Sequence, residues 1–151
     1  MNGDVYEGDF VFNQKEGIGK LVYKDKGTYY GYWQGGQRSN EGVFTYPNQD
    51  LYSGNWVNGK KEGTGTFIFF ETGMKMYGQW KEGNFMSGKW IYPNGSHFEG
   101  KFDNNRPKGK GLWKFANGNQ AEGEYTQITR VNPDPKLADE LKLIWKTTTA
   151  S

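Results

Sequence analysis

The sequence has no cysteine, which removes a disulfide framework, a thiol nucleophile and any cysteine-based metal site. It has one histidine, His97. With no second imidazole to complete a ligand set, His97 reads as a surface connector residue, not a zinc ligand or general base. No long apolar run and no signal-like start is present, so a cytosolic chain is expected. Nor is there an excess of one charge: 19 basic and 17 acidic residues are interspersed, for a formal net charge of +2. That balance argues against nucleic acid as the main partner. Apolar residues are scarce at 34%, while aromatics alone make up 17%. Leu, Ile, Val and Ala are too few for a conventional two-layer core, so rings must carry the burial.

What the chain does have is glycine and aromatic residues in a repeated order. From Tyr52 to Phe69 the residues Tyr52, Gly54 and Trp56 alternate with Ser53, Asn55 and Val57, the period of a strand with one ring-bearing face. Asn58-Gly59 supplies the positive φ that a tight hairpin needs. Gly63, Gly65, Phe67 and Phe69 then return on the same face. The central glycines of successive cores are Gly8, Gly31, Gly54, Gly78, Gly100 and Gly123, at spacings of 23, 23, 24, 22 and 23 residues. A near-constant period of this size marks an array whose units bury their apolar faces only against neighbours. The last unit is degraded, with Ala121 in place of the ring, and its returning strand is expected to be missing.

The two irregular spacings fall where a slip is harmless, because a one-residue shift inside a paired strand would turn every later side chain to the wrong face. The extra residue is placed in the connector near Thr72-Gly73, and the lost one near the turn at Gly83-Asn84. Glycine inside strands weakens them, so a compensating role is required: rings lie over bare backbone, forming a ladder on glycine troughs. Asn40 and Met86 stand where other repeats have glycine and are expected to fill the trough in part. The expected fold is all-β, a single-layer twisted antiparallel sheet of successive hairpins over residues 1–126, of about six repeats. About eleven strands at 4.8 Å give a sheet roughly 50 Å long.

Residues 127–151 change character. Asn132-Pro133-Asp134-Pro135 reads as a breaker and cap, and Lys136 to Ile144 as a short helix. Its stripe of Leu137, Leu141, Ile144 and Trp145 is expected to cap the open array or dock on a partner. Thr147 to Ser151 is expected to be disordered. At the other end, Met1-Asn2-Gly3-Asp4 resembles the connector Pro93-Asn94-Gly95, which leaves the strand from Val5 with a free edge.

Reactive constellations are sparse. Glu7, Asp9, Glu99, Glu122 and Glu124 alternate onto the polar face, where solvation is their expected fate. Gly17-Ile18-Gly19 and Gly109-Lys110-Gly111 neither open a helix nor end in Gly-Lys-Ser/Thr, so they are not phosphate loops. No cofactor or metal is expected, and no enzymatic activity. The rings recur at the repeat period, which assigns them to holding hairpins together instead of stacking on nucleic-acid bases. The trough aromatics Tyr29, Trp33, Tyr52, Trp56, Trp80, Trp90 and Trp113 are the candidate protein-binding residues. Turn lysines such as Lys60-Lys61 and Lys108-Lys110 with Arg106 offer a weaker alternative, attachment to anionic phospholipid, which acidic neighbours offset.

The grammar Tyr-x-Gly-x-Trp, Asn-Gly, Glu-Gly-x-Gly and Pro-Asn-Gly resembles the MORN repeat family over about Met1 to Tyr125. The resemblance implies a trough-shaped array of hairpins used for protein association or membrane attachment. The stretch Glu71-Thr72-Gly73-Met74-Lys75, with Asn105-Arg106-Pro107-Lys108-Gly109-Lys110-Gly111 and Gly123-Glu124-Tyr125, is similar to MORN-bearing subunits of the ciliary radial spoke head. That likeness implies a non-enzymatic scaffold in the cytoskeleton of motile cilia and flagella. Its expected partners are other spoke-head proteins and a second copy of the chain, at the axoneme.

Overall fold

The computed structural model describes residues 3–148. Among them the chain forms twelve strands and no helix: β1 (Val5–Val11), β2 (Gln14–Tyr23), β3 (Gly27–Gln34), β4 (Gln37–Thr45), β5 (Leu51–Val57), β6 (Lys60–Ile68), β7 (Lys75–Lys81), β8 (Asn84–Ile91), β9 (His97–Asp103), β10 (Arg106–Lys114), β11 (Gln120–Arg130) and β12 (Glu140–Thr147). All lie in one antiparallel sheet whose spatial order is their chain order. Every neighbour in the sheet is thus a neighbour in sequence.

The hairpin turns explain this regularity. Phe12-Asn13, Gly35-Gly36, Asn58-Gly59, Glu82-Gly83 and Asn104-Asn105 each have positive φ at both positions, the backbone of the tight turn whose twist matches that of its strands. Between hairpins, Asn48, Asn94 and Asn117 accept hydrogen bonds on their side-chain oxygens from the backbone N–H two residues on, the local turn that asparagine favours. Asp50 and Ser96 accept from Phe70 N and Ala116 N in the next connector. Asp4 accepts from Lys24 N in the same way, so Asp4 does the work of a connector residue. Met1 and Asn2 lie outside the described residues.

A line of glycines crosses the sheet in register: Gly8, Gly19, Gly31, Gly42, Gly54, Gly65, Gly78, Gly88, Gly100, Gly111 and Gly123. The reason is close approach. A methyl at Gly42 would collide with the Tyr29 ring, at Gly65 with the Tyr52 ring, and at Gly111 with the Phe98 ring. Each ring therefore lies flat across the paired glycines of its own hairpin. Beside Gly31 and Gly54 the ladder slips by a bulge. The phenol there donates to a carbonyl three residues on, Tyr29 to Tyr32 O and Tyr52 to Asn55 O.

Glycine at the second trough position has another cause. Gly17, Gly63 and Gly109 have φ of +70°, +75° and +83°, and Asn40 has +54°, the left-handed region that asparagine tolerates. Asn40 is exposed, as is Met86, so neither fills the trough as expected. The residue missing from the fourth repeat is also not lost at the turn. Trp80 still pairs with Phe85, five positions on, as Trp56 pairs with Lys61. The deletion lies between Phe85 and Gly88, within the bulge of β8. A bulge is already out of the ladder, so shortening it leaves the face of Gly88 and Trp90 unchanged. The extra residue does fall in the connector, where Gly73 N donates to Phe69 O in place of the shorter Gln49-to-Tyr46 bond.

The expected C-terminal helix is a strand. β12 pairs with β11 from Gly123↔Thr147 to Arg130↔Glu140, so the sixth returning strand exists. Leu141, Leu143 and Trp145 alternate onto the ring side, half-buried, while Ile144 and Leu137 are exposed. The supposed helical stripe mixed the two faces of a strand; period two wins because β11 offers an unpaired edge whose backbone groups need partners. Thr147 closes β12 and Thr148 N donates to Glu122 O, so these two residues are ordered; 149–151 lie outside the described residues.

Candidate interaction surface

The ring side holds the core. Each tyrosine on the glycine line is flanked edge-to-face by two rings, one from its own hairpin and one from the next: Phe10 and Trp33 at Tyr6, and two indoles at Tyr29 and Tyr52. Tyr29 meets Trp33 at 5.0 Å and Trp56 at 5.4 Å, and Tyr52 meets Trp56 at 5.1 Å and Trp80 at 5.2 Å. Such pairs contribute about 0.5–1.5 kcal/mol each beyond the area they bury. The indole N–H groups reach back across the repeat boundary: Trp33 to Gly19 O, Trp56 to Gly42 O and Trp80 to Gly65 O, each at 3.0 Å. Glycine at the acceptor position leaves its carbonyl uncovered by a side chain.

Of the candidate binding rings, Tyr29 and Tyr52 are wholly buried, and Trp33, Trp56, Trp80 and Trp113 are nearly so. Trp90 is half-buried and packs on Tyr92 and Trp113. All seven join one cluster along the sheet. Trp33 and Trp56 also reach the walls of two surface grooves near the hairpin tips. At the far end Trp145 packs against Phe98 and Tyr125, extending the ladder onto β12. Leu141 sits beside it in the strand, whereas Leu137 lies in the preceding loop and Ile144 on the back.

Burial sets the ionisation of these groups. Desolvation raises the Tyr29 and Tyr52 phenols well above their usual range. The Lys61 ammonium is pushed down, first by desolvation and then by the Arg38 charge. In the sequence Lys61 reads as one of the solvent-facing turn lysines. Its ammonium instead stands over four rings, Tyr46, Tyr52, Phe67 and Trp80, at 5.3–5.7 Å. Arg38 stands over Tyr23, Tyr29, Phe44 and Trp56 at 4.9–6.0 Å, and Lys15 over Tyr6 and Trp33. The signal was present: Lys15, Arg38 and Lys61 recur every 23 residues.

The back face carries a second feature. Ile18, Tyr30, Tyr32 and Val43 line a shallow groove of about 570 Å³ behind the glycine line, with Glu41, Asn55 and Thr64. Ile18 and Tyr30 are each more than half exposed. Further along this face Glu99 takes a 2.9 Å contact from His97 Nε2 and ion pairs from Lys89 and Lys114. The His97 hydrogen bond, followed by the lysine charges, holds the Glu99 carboxyl below its ordinary pKa. His97 opens β9 instead of lying in a connector. Among the described residues no group of three or more acidic or histidine side chains is placed to hold a metal, and no helix is long and apolar enough to cross a membrane.

An open single-layer sheet, stitched hairpin to hairpin by rings on glycine, defines a β-hairpin repeat protein. The MORN repeat pattern matches residues 6–28, 29–51, 52–71, 77–97 and 98–120, and the chain belongs to the MORN repeat family. It is also similar to the radial spoke head 1 homolog of Cyprinus carpio, 38% identical over 78 residues, which is 52% of this chain and 34% of that relative. The matched stretch thus covers about a third of the relative's length.

Proposed function

We propose that the protein is a non-enzymatic scaffold of the ciliary radial spoke head, at the axoneme, associating with other spoke-head subunits. The observation that carries this reading is a sheet whose rings are used in holding its repeats together, leaving broad exposed faces that present contact area instead of a reaction centre. The likeness to a radial spoke head relative supports the choice of assembly. The trough rings take part by setting the shape of the ring side and, at Trp33 and Trp56, the walls of its grooves. The exposed apolar residues of the back groove supply a second contact area of the kind that marks association sites.

Purified spoke-head subunits mixed with the chain test this. Tyr30→Lys with Tyr32→Lys should weaken their binding by about tenfold or more while the melting temperature stays within about 3 °C. A chain that binds no spoke-head subunit under conditions where the subunits bind one another sinks the reading. Self-association belongs to the same reading and is read by sedimentation velocity; a monomer at every concentration removes it.

A further inference from the structure

The residue five positions after each hairpin's second aromatic changes character along the array: Lys15, Arg38 and Lys61 in the first three repeats, then Phe85 and Pro107. Phe85 and Pro107 are fully buried and simply fill the space. The three cations occupy the same position in β2, β4 and β6 and stand in a row across the sheet, on the ring side near the hairpin tips. Their backbone carbonyls are equivalent too, each accepting from the glycine N–H of the next tip: Lys15 from Gly36, Arg38 from Gly59 and Lys61 from Gly83.

This row lacks counter-ions. The ion pairs among the described residues lie at Glu99 and Asp103, and none involves Lys15, Arg38 or Lys61. Neighbouring carboxylates are engaged elsewhere, Glu16 accepting from Gly35 N and Glu62 from Glu82 N. Arg38 donates to Gly59 O and to the Tyr23 hydroxyl, but its Nε is buried without an acceptor. Two grooves open beside the row. One, of about 240 Å³, lies between Arg38 and Lys61 against Phe44, Tyr46 and Trp56. The other, of about 320 Å³, lies beside Arg38 against Tyr23 and Trp33.

We propose that this row binds an acidic peptide segment in the polyproline II conformation, carrying a carboxylate at every third residue. Equivalent cations sit two strands apart, about 9.6 Å at 4.8 Å per strand. A polyproline II chain has three residues per turn and rises 3.1 Å per residue, so every third side chain points the same way about 9.3 Å further on. A β-strand fails this match, because its third residue points to the opposite face. Grooves walled by aromatic rings suit the stiff, ridged surface of such a chain. A bilayer fits less well, since the ammonium and guanidinium groups are recessed among rings and not presented on a plane. The inference goes beyond the spoke-head reading and is tested on the purified chain alone, so either can fail without the other.

Fluorescence anisotropy with a labelled (Glu-Pro-Pro)3 peptide is the experiment, beside a peptide of the same composition with its three glutamates adjacent. The spaced peptide should bind about tenfold more tightly, with affinity falling as salt rises. Arg38→Gln and Lys61→Gln should each weaken it about tenfold, and Lys61→Met, which keeps the stem among the rings, should do the same. Lys89→Gln on the back face should leave binding unchanged. Equal affinity for both peptides, no binding of either, or capture by phosphatidylserine vesicles without peptide binding would each overturn the proposal. The two peptides and the vesicles are compared on the unmodified chain, so the result stands even where a variant melts early.

Discussion

Glycine has two roles in this chain, and alanine substitution separates them. At Gly65 a methyl would collide with the Tyr52 ring, and the flat seat of the ring on the sheet would be lost. At Gly109 nothing lies within 4 Å of an added methyl, and only the φ of +83° objects. Gly65→Ala should therefore cost about 3 kcal/mol or more as an overpacked site, and Gly109→Ala about 1–2 kcal/mol as backbone strain. Urea unfolding of the two variants measures the difference. The phenols seated on these glycines make a second residue-scale prediction. Tyr29 and Tyr52 are raised above the ordinary value of 10.0 by desolvation, so the folded state holds the phenolic proton more tightly than the unfolded one. Their contribution is complete below about pH 10 and is lost as pH rises beyond it. The melting temperature should fall steeply above pH 10, and the absorbance of ionised tyrosine should show these two groups titrating only with unfolding.

At the scale of single elements, legibility in the sequence followed the strength of the period. Gly8 to Gly123 recur so regularly that the hairpins, the ring side and the connector near Thr72-Gly73 are legible from the sequence alone. The bulges could not, because Gly17 and Gly19 look alike in a sequence although one needs a left-handed backbone and the other needs room. For the same reason the deletion near Met86 reads in the sequence as one in the turn. β12 was missed because Leu137, Leu141, Ile144 and Trp145 fit a helical stripe, and a single strand of eight residues competes poorly with that pattern until the edge of β11 is in view. A pair of substitutions distinguishes the two. In the strand Ile144 faces solvent and Trp145 meets Phe98 and Tyr125. Ile144→Lys should thus change stability by less than about 0.5 kcal/mol. Trp145→Lys should cost about 2–4 kcal/mol through lost ring packing, measured by thermal melts of each. Equal effects would restore the helical stripe.

Across the whole molecule, each hairpin touches only its neighbours, so stability is a sum of local terms coupled at the repeat boundaries. The boundaries are not equal. Those from β2 to β7 carry the indole-to-carbonyl bonds of Trp33, Trp56 and Trp80, and two of them also carry the caged Arg38 and Lys61. Further on, Gln127 donates to Asp103 O, Arg106 O and Pro107 O, standing in for the hairpin tip that the last unit lacks. A sheet built this way holds its middle firmly and leaves its two ends less tied down. Hydrogen exchange of the intact chain, resolved strand by strand, tests that claim most directly. The slowest amides should lie in β3 to β7, with protection declining stepwise toward β1 and β12. Uniform protection from end to end, or the slowest exchange at either terminal strand, would contradict it.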